Sequence, residues 1–557
     1  MQDSPRAPTP SPRPLHSSTQ VVVSLQAYRD ARQNGASQRN AAEKAGLPRS
    51  TLGDLDSLGK RSGVQDERDA LILSPAGLAL IQQLIDAALM VFCVASGVGL
   101  PTFRRFLALS GLDVYVAASQ PVLHERLSAL EAAFVKECDE ERAVLAKQVQ
   151  EATPVVVGLD ETFFGARTCL VAADLLTGFL LIETFAEARD RDAWKAAWDV
   201  GTAGLKLSVA HAVSDGARGI HAFVEGDLGA HCAPDLFHVL HDVGKAFGCH
   251  LARLQRAAQG REEDAREVYA ALGEFQIRRG KETHRGRPVD FDARKAEGRG
   301  CIASAAREVY FAKERREEFK TMLAALSAAY LPVSLASGEL KSAETLEREL
   351  AEVFACLHEL AKSSRLGEHH LAHLRKAERC VPDMVEALAH FHAQVEAEIR
   401  AMRLSREEGD VLSRYLIPCA LLEERARNTM TAEERRATRE RVESMLGEAA
   451  ASLGLAVTDD AFLSLLPVAA ALAALWQRTT SSIEGRNGTL SQRHHARRGL
   501  SERKLRCATH VHNFFSRRKD GTTAAERFFG KKHRDVARAA LETMGDLKRP
   551  RHSRSAA

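Results

Sequence analysis

The stretch Pro154-Val155-Val156-Val157-Gly158-Leu159-Asp160-Glu161 decides how this chain is read. It is a short apolar run rich in β-branched residues that stops at acids, the pattern of a buried strand ending in an aspartate. Working outward, residues 168–173 and 179–184 read as two more strands. They are joined by Asp174-Leu175-Leu176-Thr177-Gly178, a turn whose glycine suits positive φ. Trp194 and Trp198, at i and i+4, mark a helix over 192–200 that turns one face inward. A fourth strand over 207–213 runs into Ser214-Asp215-Gly216, a helix follows over 216–225, and a short strand over 230–234 precedes a helix from Asp235 onward. This order predicts a mixed five-stranded sheet covered by helices.

That strand and helix order is that of an RNase H-like layer, predicted here over residues 151–240. From about Phe237 to Trp476 the chain turns helical and charged, with a loop-like region over 280–300. Residues 241–473 are therefore read as a large all-helical insertion, and 474–530 as the returning part of the core. On the N-terminal side, residues 1–19 are Pro/Ser-rich and predicted disordered. Helices over 21–33 and 37–45, the break Gly46-Leu47-Pro48, and a third helix opening at Arg49-Ser50-Thr51 resemble a helix-turn-helix, assigned to 20–62. Small alanines let such helices cross closely. Arg39, Lys44, Arg49, Ser50 and Thr51 are the residues that can meet phosphates or base edges. Residues 63–150 read as a helical region in which Arg104 and Arg105 suggest a second DNA-binding unit. Residues 531–557 read as a basic tail.

The chain has 557 residues, enough for two to four domains, and a net formal charge of +3. The charge is unevenly spread: from Arg478 to the end there are 20 Lys/Arg against 7 Asp/Glu. A basic segment in a near-neutral protein suits a polyanion such as DNA. The 10 cysteines are scattered singly with no CxxC pair, so neither a zinc ribbon nor a disulfide framework is indicated, and a reducing cytoplasm fits. No secretory signal is read at the N-terminus. The apolar stretch 76–100 is interrupted by Gln82, Gln83 and Asp86, so it is expected to be a buried helix and no membrane is expected as a partner.

Two strand-end aspartates and Glu484, on a polar helix opened by Thr480-Ser481-Ser482-Ile483, can bring three carboxylates to one point. Phosphodiester transfer asks for such a group, because two hard cations about 4 Å apart must activate the attacking oxygen and stabilise the leaving one. Asp160, Asp215 and Glu484 are thus the candidate catalytic and metal-binding residues. Each also has a bland reading: Asp-Gly at 215–216 is a turn signal, and Ser481 with Glu484 satisfies a helix capping box. Asp235, His238 and Asn487 are candidates to assist. Arg486, Arg493, Arg497 and Arg498, on or just beyond the Glu484 helix, are candidates to grip DNA phosphates. His231, Cys232, His241, Cys249 and His250 match no regular zinc spacing, and Phe514, Phe515, Phe528 and Phe529 fit core positions better than base stacking.

Four segments together resemble the DDE-type transposases of bacterial insertion sequences, especially those whose RNase H-like core is split by a helical insertion. They are Val157-Gly158-Leu159-Asp160-Glu161-Thr162; Ala173-Asp174-Leu175-Leu176-Thr177-Gly178; Ser214-Asp215-Gly216 with Pro234-Asp235-Leu236-Phe237-His238-Val239; and Arg478 to Asn487 with Arg498-Gly499-Leu500. The resemblance spans roughly residues 154–250 and 474–530. It implies two Mg2+ ions, with Mn2+ as a substitute, held by Asp160, Asp215 and Glu484. It also implies hydrolysis at transposon terminal repeats, transfer of the freed 3′-hydroxyls to a target duplex, a homodimer on DNA, and a nucleoid-associated place in the bacterial cytoplasm. Many relatives carry Cys-x-x-His after the second aspartate; here the spacing is Asp235-x-x-His238, which leaves open whether Asp235 replaces Asp215. Two other readings share these residues: a catalytically silent, transposase-derived DNA-binding regulator, and an RNase H-like nuclease.

Overall fold

In the computed structural model, which describes residues 18–61, 72, 74–281, 287–428, 431–497 and 499–548, the first three helices follow the alanine pattern. Helices α1 (Ser18–Gln33), α2 (Gln38–Ala45) and α3 (Arg49–Arg61) close around Leu25, Tyr28, Ala41, Ala42, Ala45, Leu47 and Leu52. Ser37 caps α2 by accepting from the Asn40 amide, and Gly46 makes the turn at φ 69°. Residues 1–17 of the segment expected to be disordered lie outside the described residues.

Helix α4 (Pro75–Ala88) runs on as a π-helical stretch to Ala95, and α5 (Leu100–Leu109) and α6 (Gln120–Lys147) follow. The stretch Pro75–Ala95 is long and apolar enough to cross a membrane. Its Ile81, Ile85, Leu89 and Met90 are instead packed in a core, and its buried Asp86 accepts from Nε of Arg126 on α6 at 2.8 Å. That core is shared with the sheet.

The sheet takes the expected five strands: β1 (Thr153–Phe164), β2 (Arg167–Asp174), β3 (Leu180–Ala186), β4 (Leu207–Ser214) and β5 (Cys232–Pro234). They lie in the order β3-β2-β1-β4-β5, with β1–β2 and β2–β3 antiparallel and β1–β4 and β4–β5 parallel. Helices α7 (Arg191–Gly201) and α8 (Arg218–Phe223) provide crossovers. Side chains alternate along β1 as a two-faced strand requires. Val155, Val157 and Leu159 join Phe134, Trp194 and Phe223 in one core, whereas Val156 belongs to the core of the long helices. Gly158 lies against Leu175 and Ile483, so the second face closes tightly where Asp160 emerges.

The insertion is helical throughout, as expected: α9 (Leu236–Arg279), α10 (Phe291–Ala329), α11 (Ala343–Ser363), α12 (Glu368–Glu378), α13 (Val381–Ala401), α14 (Arg406–Val411), α15 (Ile417–Asn428), α16 (Ala432–Ser452) and α17 (Asp460–Ala474). The loop expected over 280–300 is shorter than read. Asp290 caps α10 through the Ala293 amide, and the helix formers after it carry the chain through Gly298 and Gly300. Gly298 is needed there for packing: a Cβ would stand 2.7 Å from Cδ2 of Tyr269 on α9.

After the insertion come α18 (Ser481–Arg497), α19 (Glu502–His510), α20 (Ala524–Phe529) and α21 (Val536–Glu542). The expected basic tail is corrected up to residue 548. Val536, Ala537 and Ala540 pack into the core of α4 and α6, and Phe514, Phe528 and Phe529 are buried beside Phe179. Part of the local basic excess is met by acids on α6: Arg503 by Glu131, Arg506 by Asp139, Arg534 by Glu137 and Glu141, and Lys548 by Glu125. The fold is thus mostly helical, built on one mixed five-stranded sheet.

Candidate metal centre

Strand register brings the first two acids to one edge. Gly158 pairs with Val213 across the parallel β1–β4 ladder, so Asp160 and Asp215, each two residues on, leave neighbouring strands at the same end. The third acid arrives from far away in sequence. Ile483 wedges against Gly158 on β1, and one residue later Glu484 reaches the Asp160 carboxylate. One donor atom each from Asp160, Glu484 and His238 lie within 4.8 Å of one another. Asp215 is not part of that group. It is exposed just past β4, accepting from the Ala217 amide at 3.0 Å, but it is near enough for its charge to act on Asp160 and His238.

Asp160 is buried, and its oxygens accept from the Glu161 amide at 2.8 Å and from Nδ2 of Asn487 at 2.7 Å. Burial, followed by the negative charge of Glu484, pushes its carboxyl up to about 7. Two acids held this close without an intervening cation repel, and a divalent ion removes that conflict. A second sign points the same way. The Oδ1 atom of Asn487, buried on the same helix as Glu484, has no hydrogen-bond partner. Carboxylate oxygens in this number suit a hard cation such as Mg2+ or Mn2+, so the residues present fit the expected metal.

Asp235 does different work from Asp215. Its carboxylate is buried at the start of α9, where it accepts from the Phe237 amide, from the Thr480 hydroxyl and from Nδ1 of His238 at 2.9 Å. The hydrogen bond from His238 to Asp235 raises the imidazole's pKa against the opposing effect of burial. With Nδ1 held, Nε2 faces Glu484 Oε1 at 3.7 Å. A carboxylate that fixes one ring nitrogen so that the other meets a cation is a common outer-shell arrangement. Asp235 thus accepts from three donors and holds His238 at its Nδ1.

A family of unknown function, DUF6399, matches residues 412–556, a span that holds Glu484, Arg486 and Asn487 and the last helices. No curated protein matches the chain.

The arginines expected to grip DNA are corrected in part. Arg486 is buried and makes a bidentate pair with Glu183 on β3, at 2.8 and 2.7 Å. Glu183 also accepts from the Thr509 hydroxyl; burial raises its carboxyl, but the Arg486 charge and these hydrogen bonds hold it below the ordinary glutamate range. Arg493 donates to the Ala95 carbonyl and lies along Gly97, tying α18 to the helix after α4. The Arg497 side chain and Arg498 fall outside the described residues. Charge pattern alone could not separate these roles, because an arginine facing a buried glutamate and one facing solvent look alike in sequence. Arg39, Lys44, Arg49 and Ser50 are exposed around the α2–α3 turn, and Thr51 is half-buried. Among the described residues no second group of histidines, cysteines and acids is close enough to hold a metal: His250 bonds the Ser364 carbonyl, His231 stacks on His390, and Cys232 touches Ser214.

Proposed function

We propose that this chain is a metal-dependent DNA transposase of the DDE type, with an RNase H-like core split by a helical insertion. The observation that carries the reading is the meeting of Asp160 and Glu484, more than 300 residues apart, beside Asp215 at the end of the adjacent parallel strand. The sheet order β3-β2-β1-β4-β5, with its first three strands antiparallel and the last two parallel, supports the RNase H-like assignment. The exposed basic and hydroxyl residues around the α2–α3 turn support DNA recognition by the N-terminal helices.

Asp160, Glu484 and Asp215 are the residues that would hold Mg2+. When bound, the metal would supply an activated water or 3′-hydroxyl and neutralise charge developing on the phosphate. The chain's own part is to position. Asn487 orients the Asp160 carboxylate, Asp235 orients His238, and the Ile483–Gly158 contact sets how far α18 reaches over β1. Mg2+ and terminal repeats thus enter as cofactor and substrate, with the cell's cytoplasm as the setting. Asp160→Asn should abolish strand cleavage on a duplex carrying any inverted repeats found at the two ends of the gene, while leaving DNA binding intact. Cleavage that survives this change overturns the assignment. Binding without cleavage by the native chain in Mg2+ or Mn2+ would favour the silent regulator.

A further inference from the structure

Helices α9 and α10 form an arm. α9 has 44 residues and α10 has 39, and they pack against each other. The last buried residue of α9 is Ala258 and the first of α10 is Ala305. Beyond that level the two helices are joined to each other by contacts such as Tyr269 on Gly298 and Phe275 on Phe291. At 1.5 Å per residue the unsupported part is about 30 Å long.

The arm's end is strongly basic. Between residues 276 and 300 there are 8 Lys/Arg against 4 Asp/Glu, an excess larger than the net charge of the whole chain. Arg278, Lys281, Arg287, Arg294 and Arg299 are exposed, and Arg279 and Lys295 half-exposed. Nearer the core the arm's two arginines are paired, Arg261 with Glu308 and Arg266 with Glu262. None of the seven cations at the end makes an ion pair with a described acid. One of the acids there, Asp290, is already spent on capping α10. Self-repulsion among cations that no described acid meets costs stability at the end of an extended arm. An anionic partner that neutralises them would recover that cost.

We infer that the end of the α9–α10 arm binds the phosphate backbone of duplex DNA at a distance from the metal centre. This rests on the proposed action on DNA, and it gives the insertion a task that the acids do not share. The ligand is the backbone rather than base edges. The described end offers point charges on and beside the facing ends of two helices, with no Asn or Gln described beside them except Gln276. Such contacts release counterions, so the arm should contribute to affinity through the salt dependence.

The test uses the full chain carrying Arg278→Gln, Arg279→Gln, Arg294→Gln and Arg299→Gln together, with duplex DNA as the probe and Asp160→Asn added so that no strand is cut during titration. The plot of log affinity against log salt should lose a slope of about 0.9 for each phosphate contact removed, about 3 to 4 in all. The same four positions changed to lysine should keep the slope, and the glutamine variant should keep its helical circular dichroism. An unchanged slope in a folded glutamine variant overturns the inference, as does a loss that the lysine variant shares. A changed affinity for a second copy or for an acidic protein, with the DNA slope intact, overturns it equally. If cleavage by the native chain fails while the slope behaves as stated, it is the catalytic reading that falls and the arm that stands.

Discussion

Replacing Asp160 by asparagine removes a charge that the fold holds against its own interest. The carboxyl sits buried beside Glu484 and is pushed from 3.8 up to about 7, which corresponds to about 4 kcal/mol of differential stability. The folded state therefore holds a proton that the unfolded chain releases near pH 4. Its stabilising effect is complete below that value, declines as pH rises between the two values, and is gone above about 7. At pH 8 the metal-free native chain should be less stable than Asp160→Asn, by a few kcal/mol and at most about 4. The asparagine is nearly isosteric and can still accept from Asn487 Nδ2. At pH 5 most of the difference should vanish. Urea unfolding followed by tryptophan fluorescence suits the test, since Trp194 and Trp198 lie in the core behind β1. Adding Mn2+ at pH 8 should stabilise the native chain and leave the variant nearly unmoved. A variant that unfolds before the native chain at pH 8, or that keeps the same pH dependence, would refute the idea that repulsion awaiting a cation shapes this site.

Other outcomes follow from single contacts. Gly158→Ala places a Cβ 2.6 Å from Leu175 Cδ2 and 2.8 Å from Ile483 Cδ1; it should cost about 1–3 kcal/mol and weaken Mn2+ binding by displacing Glu484, and Leu175→Ala should restore part of both. Arg486→Met leaves Glu183 buried without its partner and should destabilise by about 3–5 kcal/mol in urea unfolding, which a solvent-facing DNA contact would not do. Asp235→Asn should lower the imidazole pKa of His238 in metal-free protein, so that it deprotonates at lower pH by NMR titration; an unmoved pKa would remove Asp235 from its positioning role.

How much was legible in the sequence varies with distance along the chain. The strand at 154–160 was visible because three β-branched valines precede an acid, and β1 runs four residues further because Thr162, Phe163 and Phe164 continue its pairing with β2. The loop expected over 280–300 failed because glycines signal turns locally, whereas Gly298 serves a helix crossing that only Tyr269 explains. The C-terminal basic excess was plain, but its partners on α6 lie more than 360 residues earlier, beyond any local pattern.

By itself the sequence determined which residues could carry the chemistry: two aspartates at strand ends, a glutamate on a polar helix, and a helical insertion between them. Those are local properties, set by side-chain periodicity and turn chemistry within a few residues. Only the tertiary structure decided their roles. It gathered Asp160, Glu484 and His238, left Asp215 at the rim, turned Asp235 into a support for His238, and buried Arg486 against Glu183. The physical reason is that burial and electrostatic partnership are properties of neighbours in space, and here those neighbours come from opposite ends of the chain.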